Sequence, residues 1–195
     1  MSHQRLRTML WVLVAIAAIG GIFLALQRPS SDSSQQLATI GGPFTLTGSD
    51  GKPFQSSRLN GEPAAIFFGF THCPDVCPTT LARLVKLRRQ LGQGDAALSI
   101  VFVTVDPERD GPAEVGSYAS LFGAPVVGLT GSAADIERVK KLFGVFSQKV
   151  DQPGGEYSVD HTATVFLMDR NGQFVATLSP EEGDGVALEK LKRLG

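Results

Sequence analysis

Apolar positions along the chain fall into three kinds of run. The first is continuous: Met9 to Leu26 contains only apolar residues and glycine. At 1.5 Å per residue such a helix would reach about 27 Å, close to the ~30 Å hydrocarbon core of a bilayer. The second kind is short and continuous. Ala64 to Phe70 and Leu98 to Val105 read as buried strands, and Val126 to Leu129 as a shorter one. The third is periodic. Between Thr79 and Leu91, Leu81, Leu84, Val85, Leu87 and Leu91 share a stripe, with Arg83, Lys86, Arg88 and Arg89 mostly off it. That spacing predicts a helix, which Gly92 and Gly94 end. Ser132 is placed to cap a helix over Ala133 to Phe143, with Ile136, Val139, Lys140 and Phe143 on one side. Pro112 to Phe122 and Val186 to Leu194 read as two more helices, the first weakened by Gly116. Asp50-Gly51 lies between Phe44-Thr45-Leu46 and Pro53-Phe54. Asp169-Arg170-Asn171-Gly172 lies between Thr164 to Met168 and Gln173 to Leu178. Both mark hairpins. This order of elements is α/β: a central mixed sheet flanked by helices on both faces.

The N-terminus sets the topology. Arg5 and Arg7 precede the long apolar run and Arg28 follows it, so the two ends can snorkel to opposite surfaces. A cleaved signal peptide wants a shorter apolar region and small residues at a cleavage site. Ala25-Leu26-Gln27 matches that poorly, and no cysteine follows for a lipid anchor. The expectation is a single-pass anchor over 9–26 with a cytoplasmic basic tail over 1–8. Residues 27–39, with Ser-Ser-Asp-Ser-Ser-Gln-Gln at 30–36, form a flexible tether. Residues 40–195 form one exported domain, at the cell inner membrane and facing the periplasm. The 18 Lys and Arg against 19 Asp and Glu leave a net charge of −1. No basic cluster recurs past the N-terminus, which removes nucleic acid as a partner.

The two cysteines of the chain bring in chemistry. Cys73 and Cys77 sit in Gly69-Phe70-Thr71-His72-Cys73-Pro74-Asp75-Val76-Cys77-Pro78, between the first buried strand and the first helix. Strand ends of this kind carry the ligands in open α/β sheets. A thiol loop between the first strand and helix gives a thioredoxin-like layout. Pro74 and Pro78 disfavour α geometry at Cys73 and Cys77, so the pair reads as a loop with Cys77 at or just before the helix N-terminus. The helix dipole there favours a thiolate at Cys77. Thiolates suit soft metals and disulfide exchange alike. A short structural disulfide is the plainer reading of the bare pair. Of the three histidines, His3 lies in the tail, leaving His72 and His161 for a folded site. His161 falls at the mouth of the second hairpin, beside the thiol loop in this layout. Taken alone, a hydrogen-bonded strand-end histidine explains it as well. Asp160 is placed either to orient the imidazole or to cap a turn. Asp75 and Asp160 are the carboxylates that would complete a harder site.

Together these stretches resemble the Sco/SenC family. The resemblance is carried by Phe68-Gly69-Phe70-Thr71-His72-Cys73-Pro74-Asp75-Val76-Cys77-Pro78, by Gly42-Pro43-Phe44-Thr45-Leu46, by Val105-Asp106-Pro107-Glu108-Arg109-Asp110, and by Tyr157-Ser158-Val159-Asp160-His161-Thr162. It runs from about Ile40 to the C-terminus. It departs from the pattern mildly at Asp110-Gly111-Pro112, where the family has Asp-Thr-Pro, at a helix start. The resemblance implies a thioredoxin-like copper-binding protein that helps assemble the copper A centre in subunit II of cytochrome c oxidase. It implies Cys73, Cys77 and His161 as the metal ligands, holding Cu(I), with Cu(II) as a second state. It implies as partners that oxidase subunit, a periplasmic copper donor and a thioredoxin-like thiol reductant. Such a metallochaperone is not an enzyme. The alternatives are a thiol–disulfide oxidoreductase using the redox-active pair Cys73 and Cys77, and a copper or redox sensor. A thiol peroxidase would need a peroxide pocket, for which no residues stand out.

Overall fold

A computed structural model describes Trp11, residues 40–92 and residues 94–194 of the chain. The expected anchor over 9–26 and tether over 27–39 fall outside the described residues, Trp11 apart. No helix among the described residues is long and apolar enough to cross a membrane. The chain divides between Ala38 and Thr39, and the fold described here belongs to the second unit.

Seven strands form one sheet: β1 (Thr45–Gly48), β2 (Pro53–Gln55), β3 (Ala64–Gly69), β4 (Ser99–Thr104), β5 (Val127–Thr130), and, later in the chain, the pair Val165–Met168 and Phe174–Leu178. Between β5 and that pair lies a separate two-stranded ribbon, β6 (Ser147–Asp151) and β7 (Tyr157–His161). The pair is therefore β8 and β9. The order across the large sheet is β2-β1-β5-β4-β3-β8-β9. Strands β3, β4 and β5 run parallel, and β1 and β8 flank them antiparallel. The parallel strands are apolar on both faces, as a sheet covered on both sides requires. All of β3 is buried, and β4 is buried after Ser99.

The helices α1 (Val76–Gln90), α2 (Pro112–Ser120), α3 (Ala133–Phe143) and α4 (Asp184–Lys192) supply the cover. Side chains alternate along β3, so Ile66 and Phe68 share one face and Phe67 and Gly69 the other. On the first face Phe68 and Phe166 meet Phe143 of α3, with ring centroids 5.3 Å apart in both pairs. On the second face Phe102 packs on Tyr118 of α2 at 5.1 Å, and Gly69 lies under Cys77 of α1. Helix α3 matches its predicted span. Ser132 Oγ accepts from the Asp135 N–H at 3.1 Å, and Gly144 closes the helix at φ +66°.

Several boundaries differ from the sequence expectation, the strands by a residue and the helices other than α3 by more. Helix α1 starts at Val76 rather than Thr79, so Cys77 lies within its first turn and Pro78 follows it there. A proline costs nothing at that point, because the first four N–H groups have no intrahelical partner. Packing of Cys77 against the sheet outweighs the local bias against α geometry before proline. Helix α2 ends at Ser120 and α4 occupies Asp184–Lys192, each slightly displaced from expectation. The β6–β7 ribbon is the real addition. His161 ends β7 and does not stand at the mouth of the β8–β9 hairpin.

Gly128 tests the tightness of this packing. A Cβ there would stand 2.7 Å from the Val115 carbonyl oxygen, a backbone atom of α2. Gly128→Ala is expected to destabilise the fold by about 1–3 kcal/mol through overpacking. Chemical denaturation of the two proteins checks it; equal midpoints would show that α2 yields freely.

Candidate metal and thiol site

The site forms where β3 and β4 end. Gly69 closes β3 without a side chain, and a Cβ there would stand 2.7 Å from Cys77 Sγ and 3.0 Å from the Phe102 ring. Glycine therefore lets the thiol rest on the backbone of the strand. The loop leaving β3 turns back at once, with the Cys73 N–H donating to the Phe70 carbonyl at 3.2 Å. Helix α1 then begins and delivers Cys77, fully buried, beneath the half-buried Cys73. Both thiols are free.

The third group arrives from the ribbon. His161 Nε2 lies 3.5 Å from Cys77 Sγ. The ring sits edge-on to Phe70 and Phe67, at centroid distances of 5.8 and 6.1 Å. On its far side Nδ1 is 3.1 Å from the Thr162 carbonyl oxygen. A carbonyl only accepts, so Nδ1 carries the proton and Nε2 presents its lone pair to the sulfurs. Asp160 is exposed on β7, and the role of orienting the imidazole falls to the Thr162 backbone. The ligand atoms of Cys73, Cys77 and His161 all lie within 4.8 Å of one another. Among the described residues no other cluster of three or more His, Cys, Asp or Glu groups is placed to hold a metal ion, and Asp75 and Asp160 do not join this one. His72 stays outside: its Nδ1 meets Thr71 Oγ1 at 3.1 Å and lies 3.7 Å from Asp110, with the side chain 54% exposed.

The two sulfurs share one proton. The Cys77 S–H stabilises a thiolate on Cys73, and the backbone N–H groups of Cys77 and Asp75 add to it. These outweigh burial and bring Cys73 down to about 3. Cys77 moves the opposite way, because it gives its hydrogen bond to Cys73 and because it is buried. This corrects the sequence expectation. The amides of the α1 N-terminus serve the sulfur three residues ahead of the helix, and burial keeps the proton on Cys77.

Residues that the sequence did not single out frame the site. The buried Asp110 carboxylate accepts from the Thr71 N–H at 2.9 Å and from the Thr71 and Thr104 hydroxyls at 2.6 Å. Asp106 accepts from Arg109 Nε at 2.5 Å and from the Tyr157 hydroxyl at 2.9 Å. In the sequence the Val105 to Asp110 segment carries only the resemblance, and the fold reveals these bonds.

The shared proton makes a prediction about reactivity. Cys73 is already a thiolate at pH 5, so its alkylation by iodoacetamide at pH 5 is expected to run near its pH 7 rate. An ordinary thiol would slow by about a hundredfold over those two pH units. Mass spectrometry of the alkylated peptides resolves the two cysteines. A hundredfold fall at Cys73, or faster labelling at Cys77, would contradict this assignment of the proton.

Comparison with known proteins agrees with this fold. The family model SCO1/SenC matches residues 32–195. The SCO2-like protein RP587 of Rickettsia prowazekii is 34% identical over 172 residues, covering 84% of this chain and 83% of its own. Yeast mitochondrial protein SCO2 is 38% identical over 156 residues, covering 78% of this chain and 52% of the yeast protein. Bradyrhizobium japonicum ScoI, solved with copper bound, superposes with a TM-score of 0.71 at 44% identity, over 80% of this chain and 99% of that one. Yeast Sco1 with copper bound gives a TM-score of 0.71 at 34% identity, over 80% and 87% of the two chains. A structure of BsSco describes a disulfide switch in a member of the Sco family of cytochrome c oxidase assembly proteins. It aligns at TM-score 0.62 and 27% identity, over 80% and 93% of the chains. With this fold and this match across most of its length, the chain belongs to the SCO1/SenC family.

Proposed function

We propose that the protein is a copper metallochaperone that binds Cu(I) through Cys73, Cys77 and His161. One observation carries this reading: two free thiols and an imidazole lone pair converge within 4.8 Å. Two thiolates and one imidazole form a soft set of low coordination number, which suits Cu(I). A structural zinc site would call for a fourth protein ligand. Loading the metal would displace the proton from Cys77, since metal binding requires deprotonated ligands. The copper-bound relatives support copper as the metal.

In this reading the acceptor is the copper A centre of cytochrome c oxidase subunit II, in keeping with the oxidase-assembly role that the BsSco structure names for its family. The run from Met9 to Leu26 anchors the chain in the cell inner membrane, and residues 40–195 face the periplasm. There a copper donor and a thioredoxin-like reductant would meet the thiols. Tethering raises the effective concentration of the domain near a membrane-bound acceptor. The protein acts by binding and delivery rather than by turnover. A second reading, thiol–disulfide exchange on the acceptor's cysteines, is favoured by the half-buried Cys73 thiolate resting on the Cys77 thiol. That is the pairing an exchange reaction needs.

Titration of the reduced protein with Cu(I) is expected to give one equivalent bound, with two sulfur ligands and one nitrogen ligand by X-ray absorption. Cys73→Ser and Cys77→Ser should each abolish tight binding, and His161→Ala should weaken it. The oxidised Cys73–Cys77 form should not load. Unchanged affinity in both serine variants would overturn the metal reading.

Purpose separates the two readings. A strain lacking the protein is expected to lose cytochrome c oxidase activity most at low copper and to recover in part when copper is added. A variant exported without residues 1–26 should complement less well at low copper than the full chain. An oxidase deficit equally deep at every copper level, relieved by added thiol reductant, would favour exchange over delivery.

A further inference from the structure

The two halves of the site come from separate parts of the fold. The cysteines belong to the β3–α1 loop, and His161 belongs to the β6–β7 ribbon, which pairs with no strand of the large sheet. An isolated two-stranded ribbon is marginal in water, so its position must be set from outside. We propose that the turn after β4, Asp106 to Asp110, is the bracket that joins the two halves. Arg109 acts as a positioning residue for His161, and Asp110 as one for the thiol loop. This inference deepens the Cu(I)-binding reading and rests on it only for its metal readout.

The bonds divide cleanly along the turn. Asp110 faces the thiol loop, holding Thr71 by its N–H and its hydroxyl, two residues before Cys73. It is itself fixed by Thr104 Oγ1 at 2.6 Å, by its own N–H donating to the Asp106 carbonyl at 3.0 Å, and by Thr130 Oγ1 on its carbonyl at 2.6 Å. The other members face the ribbon. Arg109 Nη1 donates to the Tyr157 carbonyl at 2.9 Å, and its guanidinium lies 3.7 Å from the Tyr157 ring centroid. The Tyr157 hydroxyl returns to Asp106, and Lys149 Nζ donates to Glu108 at 2.6 Å. Among the described residues, the side-chain hydrogen bonds between the ribbon and the rest of the protein go to this turn, His161's own contacts apart. The guanidinium also lies 5.9 Å from the Phe70 ring centroid, and Phe70 sits edge-on to His161. Arg109 thus meets the ribbon that carries the histidine and the ring against which the histidine rests, and among the described residues its hydrogen bonds go to Asp106 and Tyr157.

If Arg109 acts through His161, its loss matters only while His161 is present. Full-length protein, wild type and carrying Arg109→Gln, His161→Ala or both, is titrated with Cu(I) against a chromophoric Cu(I) chelator. Arg109→Gln is expected to weaken binding about tenfold, the range found for groups that orient a metal ligand. In the His161→Ala background the same change should alter affinity by less than about twofold, since residues coupled in one interaction are non-additive. A second readout needs no metal. Amide exchange over residues 147–161 should speed up at least about tenfold in Arg109→Gln. It should rise to a lesser extent in Tyr157→Phe, which removes one hydroxyl and cannot be expected to unfold the chain. In Asp110→Asn the faster exchange should appear at residues 71–77 instead. Equal loss of affinity in both backgrounds, or unchanged ribbon exchange in both Arg109→Gln and Tyr157→Phe, would overturn the proposal. Should the wild-type protein take up no Cu(I), the metal reading fails by itself, and the exchange pattern still decides the bracket.

Discussion

A buried carboxylate governs the architecture of this site. Removing a charge from water costs several kcal/mol unless its lone pairs are satisfied. Asp110 meets that cost with three donors, two of them on Thr71 and one on Thr104. Each donor is also a structural commitment. Thr104 ends β4, and Thr71 begins the thiol loop, so the carboxylate ties the ends of adjacent parallel strands together. The sheet supplies the register for this: Gly69 lies opposite Thr104, and the Val105 N–H donates to the Gly69 carbonyl at 2.7 Å. Once those two ends are fixed, the loop between Thr71 and Val76 has little freedom, and Cys73 must hang over Cys77.

The same corner explains why the site needs a glycine and a crossed arrangement of charges. Cys77 Sγ occupies the space a side chain at Gly69 would fill. Its hydrogen bond to Cys73 and then its burial disfavour a thiolate there, so the negative charge settles on Cys73, closer to solvent and served by the amides of Asp75 and Cys77. The anionic Asp110 acts in the same direction on Cys77. The result is a pair with one half-buried nucleophilic sulfur and one protonated reserve. That pair can exchange with a disulfide, or release its proton to water as both sulfurs bind a soft metal. Geometry alone leaves both chemistries available, and the imidazole lone pair of His161 tips the balance toward metal in the proposed function.

How much of this was legible in the sequence depended on how local the signal was. Helix α3 was read to the residue, since Ser132 at the cap and the spacing of Ile136, Val139, Lys140 and Phe143 are local facts. The cysteine pair was legible because the chain has no others. The β6–β7 ribbon was not. Ser147-Gln148-Lys149-Val150-Asp151 shows no strong alternation and stays largely exposed, so its strand character comes from the cross-strand ladder and from the anchoring of Tyr157. Asp110 closes a segment of the resemblance, and the departure near the helix start is Gly111. In sequence Asp110 is one more acidic residue in a turn, and only the fold brings Thr71, 39 positions away, to its carboxylate. By sequence Asp160 is a candidate for orienting His161, but alternation along β7 points it outward and leaves that task to a carbonyl.

Three donors from two independently supported pieces of chain give a site that is closed on one side only. Cys77 and the aromatic edges of Phe67 and Phe70 wall the inner side, while Cys73 and His161 are both partly exposed. A fourth protein ligand would enclose an ion and slow its exchange, and none of the described acidic groups is placed to provide one. For a carrier, that open side is the functional requirement: an acceptor's cysteine or histidine can approach along it and take over coordination one ligand at a time. Cys77 is the most buried donor and the last an incoming ligand could reach. His161 rides on a ribbon that pairs with no strand of the large sheet. Under the proposed function, transfer would therefore begin at His161 or Cys73 and end at Cys77, an order set by burial and by how each donor is held rather than by donor chemistry alone.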